Sequence, residues 1–263
     1  LYLSTIENDA QGFGALEHPT STTVVMPEMM PVEQLLEQLK DVVSHEFFHI
    51  VTPLTIHSKE IHDFDYNTPK MSQHLWMYEG VTEYFANLFQ INQDLITEND
   101  FYGRMAGKIA DASKMNDTMP FTKMSANILS EPYKEQYLNV YQKGALIAMC
   151  IDIIIREKSN GKEGILTLMK KLSKEYGIHK PFNDEELFDK ITALTYPEVG
   201  NFLNNHLTLG NPIDYKIYFS KMGVSEAEVE IPGNIFAVGK MPTLTIDGST
   251  NEIVFLESVK DNS

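Results

Sequence analysis

Cysteine is nearly absent from this 263-residue chain. Cys150 stands alone, which excludes an internal disulfide framework and any multi-cysteine zinc site. A single cysteine leaves the compartment open, because exported bacterial proteins often lack disulfides. Positive charge is also scarce. Lys and Arg number 21 against 37 Asp and Glu, a formal net charge of −16. That balance disfavours nucleic acid, whose phosphates want a surplus of basic groups, and docking to anionic membrane surfaces. Long apolar runs are missing: Ala145 to Ile155 is interrupted by Asp152 and falls short of the roughly 20 residues a bilayer span requires. The opening Leu1-Tyr2-Leu3-Ser4 has neither Met nor a basic stretch before an apolar one, so no targeting segment is visible. The start suggests a trimmed or processed product, whose leader or preceding domain would not be seen. No repeat or low-complexity segment occurs. The remaining composition, 43% hydrophobic and 22% charged, is that of a globular chain long enough for one large domain or two small ones.

Local patterns predict strands first, then helices, then strands again. Leu1 to Ile6, Gly12 to Leu16 and the β-branched Ser21 to Met26 read as strands. From Val32 to about Val51 the pattern is helical, with Leu36, Leu39, Val43, Phe47 and Ile50 on one apolar face and Pro53 as the stop. That face is expected to pack on the core. Residues 54–69 read as a loop, and a second helix is predicted from about Lys70 to Ile91. A third spans Asp100 to Met115, followed by a loop over 116–136. Leu138 to Lys158 is a strongly apolar helix, Glu163 to Tyr176, Asp184 to Leu194 and Glu198 to His206 are amphipathic ones, and Pro212 to Met222 is short. Thr243 to Ile246 and Ile253 to Leu256 form a predicted hairpin.

The first helix carries His45-Glu46-Phe47-Phe48-His49, an H-E-x-x-H pattern. At about 100° and 1.5 Å per residue, the two histidines lie about 40° apart and about 6 Å along the axis, so both imidazoles can reach one Zn²⁺. Glu46 is turned about 100° from His45 and can flank the ion as a general base. Two histidines off the apolar face beside a glutamate favour a site over an ordinary core helix.

A catalytic zinc of the thermolysin type takes two histidines and a glutamate, leaving one position open. Trp76-Met77-Tyr78-Glu79-Gly80-Val81-Thr82-Glu83-Tyr84 supplies two carboxylates four residues apart on one helix face. Glu79 can ligate the metal and Glu83 can accept the other N–H of a liganding histidine. The competing reading, two solvated surface carboxylates, sits poorly with the surrounding Trp76, Tyr78, Tyr84 and Phe85. His57, His62 and His74 are read as surface or supporting residues, and Cys150 as a small core residue.

Four blocks together resemble the glycyl aminopeptidase family of gluzincin zinc metallopeptidases: Gly12-Phe13-Gly14-Ala15-Leu16-Glu17-His18, His45 to His49, Trp76 to Tyr84, and Tyr141-Gln142-Lys143-Gly144-Ala145-Leu146. Twenty-nine residues separate His49 from Glu79, longer than in the alanyl aminopeptidase group, and His18 stands where that group has Asn. The resemblance covers roughly residues 12–160 and weakens towards 222. It implies an α+β, thermolysin-like catalytic domain. A sheet-containing lobe with the zinc helix would occupy 1–69 and a helical lobe 70–223. A β tail over 224–263 would open a truncated PDZ-like domain, and a β domain would precede this region in the full protein. It implies one Zn²⁺ on His45, His49 and Glu79, and a peptide substrate whose free α-amine meets Glu17 beside an edge strand with Gly14 and Ala15. Small first residues, Gly or Ala, would be preferred. It implies that Tyr141 donates to the oxyanion; Tyr133 and Tyr137 lie near, and only the resemblance singles out Tyr141. A zinc endopeptidase of the same fold and a non-catalytic peptide-binding relative are the alternatives.

Overall fold

The computed structural model describes residues 2–5, 13–27 and 30–225, together with 237–238, 241–242, 244–246 and 253–255. Gly12 of the first block lies outside the described residues. The chain divides into two units, Leu1–Gly223 and Val224–Ser263. The described residues form a mixed α+β architecture, mostly helical with small sheets.

The first unit opens with β1 (Tyr2–Thr5), β2 (Gly14–His18) and β3 (Ser21–Pro27), in the order β1-β3-β2. β3 is the β-branched stretch and sits centrally, parallel to β1 and antiparallel to β2, as its two-sided packing favours. β2 is an edge, with Glu17 opposite Thr22 and Gly14 opposite Val25. Helix α1 (Val32–Phe48) and the single turn α2 (Lys59–His62) follow. A six-residue π-helical segment, Trp76–Val81, runs directly into α3 (Thr82–Asn92). Then come α4 (Glu98–Ala112), α5 (Phe121–Ala126) and α6 (Asn139–Lys158). After these lie α7 (Ile165–Glu175), α8 (Leu187–Leu194), α9 (Pro197–Phe202) and α10 (Tyr215–Lys221). The second unit contains β4 (Ala237–Val238) paired with β5 (Met241–Pro242), and β6 (Leu244–Ile246) paired with β7 (Ile253–Phe255), both antiparallel.

Helix α6 is the axis of the core. Its residues from Lys143 through Ile155 are all buried, as a helix apolar on every side must be. Its two buried charged residues are compensated. Asp152 accepts from Tyr84 Oη, Arg156 Nε and the Ile165 N–H. Lys143 Nζ donates to Asp117 Oδ1 at 2.7 Å and to the Asp117 carbonyl. Among the described residues no helix is long and apolar enough to cross a membrane.

Several expectations need correction. The apolar stripe of α1 does not face the core: Val32, Leu36, Val43, Phe47 and Ile50 are between 46% and 64% exposed, whereas Ser44 and His49 are buried. The helix instead turns its histidine face inward, where Glu83 of α3 and the Thr52 carbonyl satisfy the Nδ1 atoms of His45 and His49. The helix ends at Phe48 rather than Val51, with His49 as its cap. The second helix begins at Trp76, not Lys70. Ser72 Oγ and the Gln73 N–H are drawn to the Asp184 carboxylate, and such side-chain bonds compete with helical ones. The expected loop over 116–136 contains α5, which places Phe121 and Met124 in the core, and a 3₁₀ turn at Tyr133–Gln136. Of the histidines expected at the surface or in supporting positions, His57 and His74 are buried. His74 Nε2 donates to the Asp184 carbonyl, and His57 Nδ1 donates to that of Pro53.

Candidate active site

Helix α1 and the π segment with α3 meet along the histidine face. Ligand atoms of His45, His49 and Glu79 all lie within 4.8 Å of one another. His45 Nε2 is 3.2 Å and His49 Nε2 3.7 Å from Glu79 Oε2. Around a tetrahedral ion with bonds of about 2.0–2.1 Å, neighbouring ligand atoms stand roughly 3.3–3.4 Å apart, so these separations fit a common metal.

The tautomers fit as well. His49 Nδ1 donates to the Thr52 carbonyl at 2.9 Å, which leaves Nε2 as the nitrogen facing Glu79. Thr82 Oγ1 lies 3.5 Å from the same Nδ1, and Thr52 Oγ1 donates to the Met77 carbonyl, tying the end of α1 to the π segment. His45 Nδ1 donates to Glu83 Oε2 at 2.8 Å, so its Nε2 also faces the cluster. Burial opposes a charge on His45, but hydrogen bonds to Glu79 and Glu83 and the charges of both outweigh it and raise its pKa to about 10.

Glu83 is fully engaged. Besides His45, it accepts from Lys108 Nζ at 2.7 Å and from Asn87 Nδ2 at 3.2 Å. Burial alone would raise its pKa; the hydrogen bonds and charges of His45 and Lys108 override that and hold it well below the usual carboxylate range. Lys108, Asn87 and Thr52 join the site without any motif in the sequence that marks them. Lys108 belongs to another helix 25 residues away, and no spacing rule announces that contact.

Glu46 differs from Glu83 in having a buried Oε2 without a hydrogen-bond partner among the described residues. Its pKa is raised, first by burial; His49 and His45 pull it down, and Glu17 and Glu79 push it up. A carboxylate with a buried, unpartnered oxygen beside a candidate metal cluster is suited to take up a proton. Glu17 joins it: carboxylate oxygens of Glu17 and Glu46 and a ring nitrogen of His49 lie within 4.8 Å of one another. Strand β2 thus delivers Glu17 to the same cluster from the sheet side. Space beside Gly14 is open, nothing lying within 4 Å of where its Cβ would be, and Ala15 precedes Leu16, 57% exposed, on the same edge strand.

Tyr141, in the first turn of α6, has its ring centroid 5.8 Å from that of His45. Burial first, then the charge of Glu79 and the contact with Tyr137, drive its pKa far up, so it remains a hydrogen-bond donor at any ordinary pH. The approach of α6 depends on two glycines. A Cβ on Gly80 would fall 2.3 Å from the Gly144 carbonyl carbon, so the two backbones touch where the π segment crosses α6. π segments recur at functional sites, and here one carries Glu79.

Residues 38–147 match the family model described as M61 glycyl aminopeptidase. Through that segment, 110 of the 263 residues, the chain is similar to the glycyl aminopeptidase family. The segment holds His45, Glu46, His49, Glu79, Glu83 and Tyr141; Glu17 lies before it. No curated protein matches the sequence. Among solved structures, an aminopeptidase N family protein from Idiomarina loihiensis is similar in fold, with a TM-score of 0.70 at 22% identity. The match covers 83% of this chain but only 40% of that one, so the chain spans well under half the length of that relative.

Proposed function

We propose that this protein is a zinc-dependent aminopeptidase of the glycyl aminopeptidase family with a thermolysin-like arrangement of its catalytic residues. The observation that carries the reading is the convergence of His45, His49 and Glu79 on one point, with Glu46 and Glu17 sharing His49 as a neighbour. His45, His49 and Glu79 would hold the zinc. When bound, zinc polarises a carbonyl oxygen and makes water a nucleophile at neutral pH.

The protein's own groups do the rest. Glu46 takes the proton from the attacking water through its buried, unpartnered oxygen and later delivers it to the leaving amine nitrogen. Tyr141 donates its O–H to the carbonyl oxygen as negative charge develops there. Glu83, anchored by Lys108 and Asn87, holds the His45 ring in orientation and tautomer. Glu17 receives the α-ammonium of the first residue. An internal peptide bond offers no such charge, so this contact selects for chain ends. Gly14 and Ala15 lie on the edge strand leading to Glu17, where an extended peptide can add alongside. Preference for Gly or Ala as the first residue follows the family resemblance.

The test joins metal analysis to a Glu46→Gln variant. One zinc per chain, hydrolysis lost on chelation, and a variant that retains zinc but does not turn over are expected. Normal turnover by Glu46→Gln contradicts the assigned base. Equal cleavage of free-amine and N-acetylated peptides would make the protein an endopeptidase and reduce Glu17 to a structural role.

A further inference from the structure

We propose that Tyr137 is a positioning residue for this hydrolysis: its hydroxyl donates to the hydroxyl of Tyr141 and keeps the single proton of Tyr141 aimed at the substrate carbonyl oxygen. The inference rests on the role of Tyr141 given above. The two hydroxyl oxygens are 3.3 Å apart, and the rings meet edge to face with centroids 5.9 Å apart. Tyr137 closes the 3₁₀ turn that precedes α6, and Tyr141 lies four residues on, the spacing that places side chains on one face. The Val140 N–H bonds the Tyr137 carbonyl, and the Tyr137 N–H bonds that of Lys134, so the backbone at the junction is held. Tyr133 does not compete for this place, because its ring faces Lys123 Nζ at 5.9 Å.

The direction of the bond follows from counting protons. A phenol hydroxyl has one proton to give and lone pairs to accept with. In the resting site either tyrosine can donate to the other. Once a carbonyl oxygen enters, the proton of Tyr141 goes there, and its remaining capacity towards Tyr137 is as acceptor. Tyr137 is 45% exposed, so water satisfies its own lone pairs while its proton points inward. Donation from Tyr137 polarises the Tyr141 O–H, and such chains strengthen each bond by about 10–30%. Loss of an oxyanion donor typically costs about 10²–10³-fold in kcat, so that fraction corresponds to about a two- to eightfold effect.

The experiment compares Tyr137→Phe, Tyr141→Phe and the double variant in the zinc-loaded protein. Tyr141→Phe should lose about 10²–10³-fold in kcat. Tyr137→Phe should lose about two- to eightfold in kcat with KM unchanged, and the double variant should be no slower than Tyr141→Phe alone. Calorimetric affinity for a phosphinate dipeptide analogue, a tetrahedral mimic, should fall by the same factor in Tyr137→Phe. The proposal is overturned if Tyr137→Phe leaves kcat and analogue affinity intact, or if it slows the Tyr141→Phe background by the same factor. Full activity in Tyr141→Phe instead removes the oxyanion assignment itself, and the Tyr137 role goes with it.

Discussion

Substituting Gly80 by Ala tests whether the crossing of the π segment and α6 sets the site geometry. A Cβ at this position would lie 2.3 Å from the Gly144 carbonyl carbon and 2.5 Å from its Cα and oxygen. Ordinary carbon–carbon contact begins near 3.5 Å, so the two backbones must part by roughly 1 Å. Backbone cannot swing aside as a side chain can. Overpacking of this kind costs about 1–3 kcal/mol or more, and alanine's better helix propensity returns only about 1 kcal/mol of it. A net loss of about 1–2 kcal/mol is expected, together with a displacement of the adjacent Glu79. The reciprocal variant is the control. A Cβ on Gly144 meets Gly80 Cα at 3.0 Å and the Gly80 nitrogen at 3.4 Å, clashes that a few tenths of an ångström relieve. Gly144→Ala should therefore stay within about 1 kcal/mol of the parent, propensity offsetting strain. Urea unfolding of the metal-free protein measures the stabilities, and chelator competition measures zinc affinity. If Gly80→Ala matches the parent within about 0.5 kcal/mol and binds zinc normally, or if Gly144→Ala is the more damaging, the crossing does not position Glu79.

Further outcomes follow from the charges around the site. Glu83→Gln should weaken zinc binding about 10–100-fold, because the uncharged amide supports His45 less well and leaves Lys108 without its partner; unchanged affinity in a chelator competition would remove Glu83 from the site. His45 in the metal-free protein has a pKa raised to about 10, above the value of about 6.5 for an unfolded chain. Its contribution to stability is therefore complete below pH 6.5 and lost as pH rises through 10. Zinc uptake at pH 8 should release about one proton from it, and calorimetry in buffers of different ionisation enthalpy would refute this by finding no release. The pair of buried Lys143 with half-exposed Asp117 should be asymmetric. Asp117→Ala strands a buried ammonium and should cost about 3 kcal/mol or more, whereas Lys143→Met keeps the volume, frees a half-exposed carboxylate to hydrate, and should cost about 1 kcal/mol or less. Equal losses in urea unfolding would contradict that account.

The sequence by itself determined which residues share the faces that meet in the candidate site. A four-residue step on a helix puts His45 over His49, and again Glu79 over Glu83, whatever surrounds them, because helix periodicity is local. Local too were the β-branched character of the central strand β3 and the all-round apolarity that sends α6 to the core. The tertiary structure decided which face of α1 turns inward. Periodicity placed Leu36, Val43 and Phe47 on the core side, but the ring nitrogens of His45 and His49 need buried partners, which Glu83 of α3, Glu79 of the π segment and the Thr52 carbonyl supply. It also decided the partners of Glu83, because Lys108 arrives from a separate helix, and the start of the second helix, because Asp184 captures Ser72 and Gln73 from over a hundred residues away. Spacing along one helix is written in the chain, whereas the meeting of two helices depends on every contact between them.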